Sequence, residues 1–232
     1  MPNQKNIIQK SSLDFLKAVS ENNNRDWFGK NKSRYTEAHN NIIAFADALL
    51  AEMNTHDKID TLSGKDSLHR IYKDVRFSKD KTPYNSHFGG SFKRATNKLR
   101  GGYYFHIEPG NSFVAGGFWG PNANDIKRIR QDIDLNYYDW QKLLQDSMFT
   151  ETFGKLAGEQ LTSAPRGYAK DHPSIELLRY KQFLVKVTFT DKEVCSPSFV
   201  SQANGIFKNM RPFFNFMSEV LTTDINGVPY ED

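Results

Sequence analysis

Cysteine is almost absent from this chain. Cys195 is the one cysteine in 232 residues, which excludes an intrachain disulfide and any zinc site built from several thiolates. No histidine lies near it in the sequence, so it reads as a small, buried or half-buried apolar side chain without a catalytic role. Long apolar runs are missing too. The richest stretch, 42–53, is interrupted by Asp47 and Glu52, so membrane insertion finds no support. The opening MPNQKNIIQK offers a single apolar pair and no small-residue cleavage pattern, so no secretory signal is expected and the expected compartment is the cytoplasm. Internal repeats and low-complexity tracts are lacking. With 38% hydrophobic and 25% charged residues, the composition is that of an ordinary globular protein long enough to bury most of one core.

The net charge is a modest +4, but it is unevenly spread. Residues 65–100 carry ten Lys or Arg against Asp66, Asp74 and Asp80, a surplus of seven that leaves the rest of the chain at −3. A basic segment in a slightly acidic chain points to a local anion site. A solvated, basic pair of strands explains the same charge.

Helical periodicity opens the chain. Leu13, Phe15, Leu16 and Val19 share one face of a short helix that Ser11 or Ser12 can cap. After Asn22-Asn23-Asn24, a seven-residue recurrence of Phe28, Tyr35, Ile42 and Leu49 predicts one helix over 25–53. Residues 68–77 are compatible with a short strand or a turn of helix. Beyond Pro83 the period becomes two. Phe88 and Phe92 alternate with His87 and Lys93, with Gly89-Gly90 marking a bulge or close backbone approach. Tyr103, Phe105 and Ile107 then alternate with Tyr104, His106 and Glu108, and a turn at Pro109-Gly110-Asn111 leads into a return strand over 113–119. Helices are predicted after Pro121 and over 137–149, a helix capped by Asp171 runs through 178, and a strand covers 183–189. A last helix starts at Ser196-Pro197 and carries Ala203, Ile206, Phe207, Met210, Phe213, Phe214, Met217 and Leu221 as its stripe, kinked at Pro212. Strands clustered as hairpins between helical ends predict an α+β fold, a mainly antiparallel sheet covered by helices, in a single domain over 1–232.

Chemistry is densest in D-V-R-F-S-K-D-K-T-P-Y, residues 74–84. Arg76 offers a planar fork and Lys79 and Lys81 point charges, a mixture suited to phosphate or carboxylate. Arg130 and Arg166 could complete such a site. In the competing reading Asp74 and Asp80 neutralise these bases in an ion-pair network that stiffens a loop. Ser78 and Lys81 have Ser-x-x-Lys spacing, but Pro83 ends any helix that would align them. His87, His106 and Glu108 could meet across adjacent strands as metal ligands, or form a hydrogen-bonded polar patch. Tyr103, Tyr104, Phe105 and Trp119 beside the bases could stack on single-stranded nucleic acid, although alternation sends half of them inward.

The 74–84 motif resembles a widespread family of uncharacterised, conserved hypothetical proteins, a domain of unknown function. Arg25-Asp26-Trp27-Phe28 with Asn31 and Tyr35, the stretch 102–110, Gly116-Gly117-Phe118-Trp119, Ile129-Arg130, Pro165-Arg166-Gly167-Tyr168 and Asp171-His172-Pro173 extend the likeness over nearly the whole chain. The resemblance implies a single domain and a shared loop, and carries no catalytic assignment. The functional expectation is a basic pocket holding a small phosphorylated or carboxylated ligand through Arg76, Lys79, Lys81, Arg130 and Arg166. Whether this site does chemistry is left open by the sequence. If it does, Asp74, Asp80, Tyr84 and His106 are the available acid–base candidates, hydrolysis or group transfer is the first class to test, and no metal or cofactor is assigned. The alternative is a nucleic-acid-binding or protein-interaction module using the basic face without turnover.

Overall fold

The computed structural model describes residues 6–224 and 227–230. Its class is α+β: a four-stranded antiparallel sheet, in the order β1-β2-β3-β4, accompanied by helices. The strands are β1 (Phe88–Lys93), β2 (Gly102–Ile107), β3 (Ser112–Phe118) and β4 (Phe183–Phe189). The first three are hairpin neighbours, as their short connections require. By contact density the chain divides into two compact units. The first comprises Met1–Lys93, Tyr103–Val114 and Thr188–Ile206, the second Arg94–Gly102, Ala115–Val187 and Phe207–Asp232.

The first unit begins with α1 (Lys10–Glu21), α2 (Arg25–Lys30) and α3 (Lys32–Met53). Leu13, Phe15, Leu16 and Val19 are buried as the periodicity predicts, but the N-cap is Gln9. Ser12 lies inside the helix and donates its hydroxyl to Asn41 Oδ1 at 2.9 Å. The single helix predicted over 25–53 is two helices. Asn24 caps α2 by accepting from Trp27 N–H at 2.9 Å, and Asn31 ends α2 and begins α3. On α3, Ala38, Ile42, Phe45, Ala46, Leu49, Leu50 and Met53 are buried. Phe45 stacks on Phe199 (centroids 5.2 Å) and meets the ring of Phe105 edge-on at 5.4 Å. After α4 (Gly64–Ser67), residues 68–77 form neither strand nor helix, only isolated bridges from Leu68 to Gly90 and from Tyr72 to Tyr84. Late in the unit, α9 (Asp191–Val194) carries a capping box between Thr190 and Glu193.

The second unit contains α5 (Ala123–Leu135), α6 (Tyr137–Leu144), α7 (Ser147–Phe153) and α8 (Ile175–Leu178). The helix predicted over 137–149 breaks at Asp146, whose carboxylate caps α7 by accepting from Met148 and Phe149 N–H. α8 is capped at Ser174, not at Asp171. Trp140 is fully buried, edge-on to Phe216 at 5.1 Å, with its indole N–H on Asp132 Oδ1 at 2.7 Å. The predicted final helix is α10 (Phe199–Asn209) and α11 (Arg211–Thr222). Pro212 is at the start of α11 and so begins a helix where a kink was expected. There its missing N–H is one that has no acceptor within the helix anyway. Of the predicted stripe, Ala203, Phe207, Met210, Phe213, Phe214, Met217 and Leu221 are at most 1% exposed. Among the described residues no helix is long and apolar enough to cross a membrane.

Candidate metal centre

β1 and β2 set up the site by alternation. On β2 the odd positions Tyr103, Phe105 and Ile107 are buried at 0–1% exposure, which sends Tyr104, His106 and Glu108 to the other face. On β1 the two glycines serve opposite faces. A Cβ on Gly90 would collide with the Phe105 ring, and a Cβ on Gly89 would lie 2.6 Å from Tyr104 Oη. Gly89-Gly90 is thus a close approach of a continuous strand, and it seats Tyr104 beside His106. The phenol and His106 Nδ1 are 3.0 Å apart, and the Tyr104 ring stacks on His69 at 5.7 Å.

His87, immediately before β1, joins His106 and Glu108, and donor atoms from all three lie within 4.8 Å of one another. His106 Nε2 is 3.1 Å from Glu108 Oε2. Two ligands each about 2.0–2.2 Å from one metal ion sit roughly that far apart. The carboxylate is held on both oxygens: Ser86 Oγ donates to Oε1 at 3.0 Å and Asn111 Nδ2 to Oε2 at 2.7 Å. Burial pushes the Glu108 pKa up, but hydrogen bonds from Asn111, His106 and Ser86 outweigh it and leave the group below its usual value, an anion at neutral pH. His106 is buried, stacked on Phe113 at 4.6 Å, with the His87 ring 4.1 Å away.

His87 differs from its neighbours. It is half-buried and has no hydrogen-bond partner among the described residues, only the ring contact with His106. Desolvation first, then the neighbouring His106, pushes its pKa down to about 4. Its ring is therefore neutral at physiological pH, with a lone pair available to a Lewis acid.

The 74–84 loop is organised by its own charges. Asp74 takes Arg76 by Nε at 3.0 Å and by Nη2 at 2.7 Å, so the fork proposed for a ligand is already engaged. Lys73 Nζ binds Asp80 Oδ2 and Thr82 Oγ1, both at 2.9 Å, while Asp80 Oδ1 accepts Thr82 N–H at 2.9 Å. Lys81 Nζ donates to the Val75 carbonyl at 2.9 Å, away from Ser78 as a partner. Lys79 is exposed, and Phe77 is 97% exposed between these charges. Tyr84 is 5% exposed and stacked face to face on Phe28 at 3.9 Å. Of the four acid–base candidates, only His106 is in the metal-ligand cluster. Arg130 and Arg166 belong to the second unit. Tyr103 and Phe105 are core residues, which leaves the stacking surface Tyr104 and the 73%-exposed Trp119.

Across residues 11–216 the chain matches a family profile described as a conserved hypothetical protein. The chain belongs to family DUF2461. No curated protein and no solved structure matches it. In this DUF2461 chain, Tyr104, Ser86, Asn111 and Gly89 were missed by sequence reasoning as site residues. Tyr104 was legible, because it shares the period-two face with His106 and Glu108. The close backbone approach at Gly89 was legible too, but that Tyr104 is what it approaches, and that Ser86 and Asn111 reach Glu108, depend on strand register and turn geometry, which no local pattern reveals.

Three protein donors would leave coordination positions open on a bound ion, as metal sites that do chemistry require. A two-histidine, one-carboxylate set suits zinc or ferrous iron. With Nε2 donating to Glu108, His106 Nδ1 accepts from the Tyr104 hydroxyl. The tautomer that would bind a metal through Nε2 would instead donate Nδ1–H to the same Tyr104 oxygen, which would hold the ring in place. Burial, then the charge of Glu108, raises the Tyr104 pKa, so the hydroxyl stays protonated.

Proposed function

We propose that this protein holds a divalent transition-metal ion through His87, His106 and Glu108 and uses it on a small anionic substrate bearing phosphate or carboxylate, with hydrolysis or group transfer as the reaction class. The observation carrying this reading is His87, a neutral imidazole without a hydrogen bond among the described residues, within reach of a second imidazole and an oriented carboxylate. Held by His87, His106 and Glu108, such an ion would supply Lewis acidity, lowering the pKa of a coordinated water and offsetting negative charge on a substrate. Lys73, close enough to His87 to affect its titration, adds positive potential beside the site. We place the protein in the cytoplasm on composition, since a chain with one cysteine has no disulfide framework to form outside it.

The test is metal uptake followed by turnover. Chelator-stripped protein titrated with zinc or ferrous ion should bind one equivalent, and His87→Ala, His106→Ala and Glu108→Gln should each abolish tight binding while the fold persists by circular dichroism. Loaded protein should hydrolyse a generic phosphate or carboxylic ester faster than His106→Ala does. Absence of stoichiometric binding in the wild type sinks the proposal.

A further inference from the structure

In the second unit, α5 and the segment leading into α8 form a cation site that the metal centre does not explain. Arg130, on α5, is half-buried and anchored by Nε–H donation to the Leu178 carbonyl at 3.0 Å. No carboxylate reaches its terminal nitrogens among the described residues. Asp134, one helical turn further on, is engaged instead by His172 Nε2 at 2.9 Å. A partly desolvated guanidinium without a counter-ion is costly, and burial accordingly lowers its pKa.

Tyr168 lies close enough to Arg130 for each to influence the other's titration. It is placed there by the turn Pro165-Arg166-Gly167-Tyr168, which closes with Tyr168 N–H donating to the Pro165 carbonyl at 3.2 Å. Gly167 at φ 93° supplies the left-handed third position of a type II turn. The turn leaves the Arg166 side chain exposed at its tip, and the His172 ring meets Tyr168 edge-on at 5.8 Å. His172 is fixed in turn, because Ser174 donates to its Nδ1 from both N–H and Oγ, at 3.2 and 3.0 Å. Burial, then the nearby charge of Asp134, raises the Tyr168 pKa, so it carries a proton to donate, while His172 offsets the Asp134 carboxylate on that side.

We propose that Arg130 and Tyr168 form an oxyanion-binding site for the carboxylate or phosphoryl group of a small ligand. The terminal nitrogens of Arg130 grip two oxygens and the Tyr168 hydroxyl donates to one of them. This site is independent of the metal reading: an anion held by the metal responds to His106→Ala, and one held here responds to Arg130→Gln.

The test is thermal denaturation of the full chain at constant ionic strength, with inorganic phosphate in one arm and succinate in the other. Chloride serves as the balancing salt. A saturable rise in Tm at millimolar concentration is expected in at least one arm, and the responding arm identifies the oxyanion. Arg130→Gln should weaken the response on the order of tenfold, Arg130→Lys should recover part of it, and Tyr168→Phe should weaken it severalfold. Lack of a saturable rise in both arms overturns the proposal, as does a response unchanged in Arg130→Gln. Should Arg130→Gln fail to fold, an unchanged response in Arg130→Lys and Tyr168→Phe overturns it equally.

Discussion

Gly89→Ala tests the support of the metal centre without touching a ligand. The added methyl would sit 2.6 Å from Tyr104 Oη and 3.2 Å from two of its ring carbons. Non-bonded contacts of this kind are comfortable only near 3.5 Å, so the hydroxyl must retreat by about 0.5–1 Å. The phenol is 3.0 Å from His106 Nδ1, and such a retreat takes it out of hydrogen-bonding range. Loss of a partner behind a metal-bound histidine typically weakens metal affinity about 10- to 100-fold, which corresponds to roughly 1.4–2.7 kcal/mol. Tyr104→Phe removes the hydroxyl with no steric insertion and should fall in the same range. The assay is competition for zinc against a chromophoric chelator, with melting curves confirming that both variants fold. Affinity within twofold of wild type in both variants would refute the role given to Tyr104. Weakening in Gly89→Ala alone would mean that crowding, not the hydroxyl, is what matters.

Other expectations concern the scaffold and the loop. Phe207 is fully buried, and Phe207→Ala should cost about 3–5 kcal/mol in denaturant melts, whereas a loss under about 1 kcal/mol would place it outside a packed core. Thr190→Ala removes the hydroxyl of the Thr190–Glu193 capping box and should destabilise by about 1 kcal/mol, with faster amide exchange in α9. The Asp80 pKa lies well below the usual carboxylate range because of the Thr82 backbone N–H, then Lys73 and the Thr82 hydroxyl. A depressed folded pKa means the loop order it supports is complete above the ordinary carboxylate pKa and is lost as pH falls through the folded value. Carboxyl NMR should show this low midpoint, and Lys73→Met should move it upward; an Asp80 titrating like a free aspartate would show that the ion pair does not persist in solution.

Helix faces were legible in the sequence where helix ends were not. Phe28, Tyr35 and Ile42 keep their seven-residue spacing across Asn31, which closes α2 and opens α3 so economically that the apolar period never signals the break. Met210 likewise continues the stripe of buried residues between α10 and α11. Pro212 reads as a kink when the helix is assumed to continue, and as a start once the N–H groups of a first turn are recognised as needing no partner. The facing of His106 and Glu108 followed from alternation alone. The proximity of His87 needed the register between β1 and β2, a long-range fact. Loop charges were visible, but not which carboxylate each base would choose. Arg76 reaches back two residues to Asp74, whereas Asp80 takes Lys73, seven residues earlier.

His87, His106 and Glu108 are separated by one strand pair and its connection. Bringing the outer two together closes a chain segment of about 20 residues, an entropic cost of roughly 2.7 kcal/mol beyond the constant term. That is low for donors on different strands, because nothing distant in sequence must arrive first. Ligand assembly is thus a matter of local contact order, and pairing of β1 with β2 suffices to bring the three donors together. An ion bridging them would act as a clip on that same segment, restricting the unfolded chain as well as joining the strands of the native one.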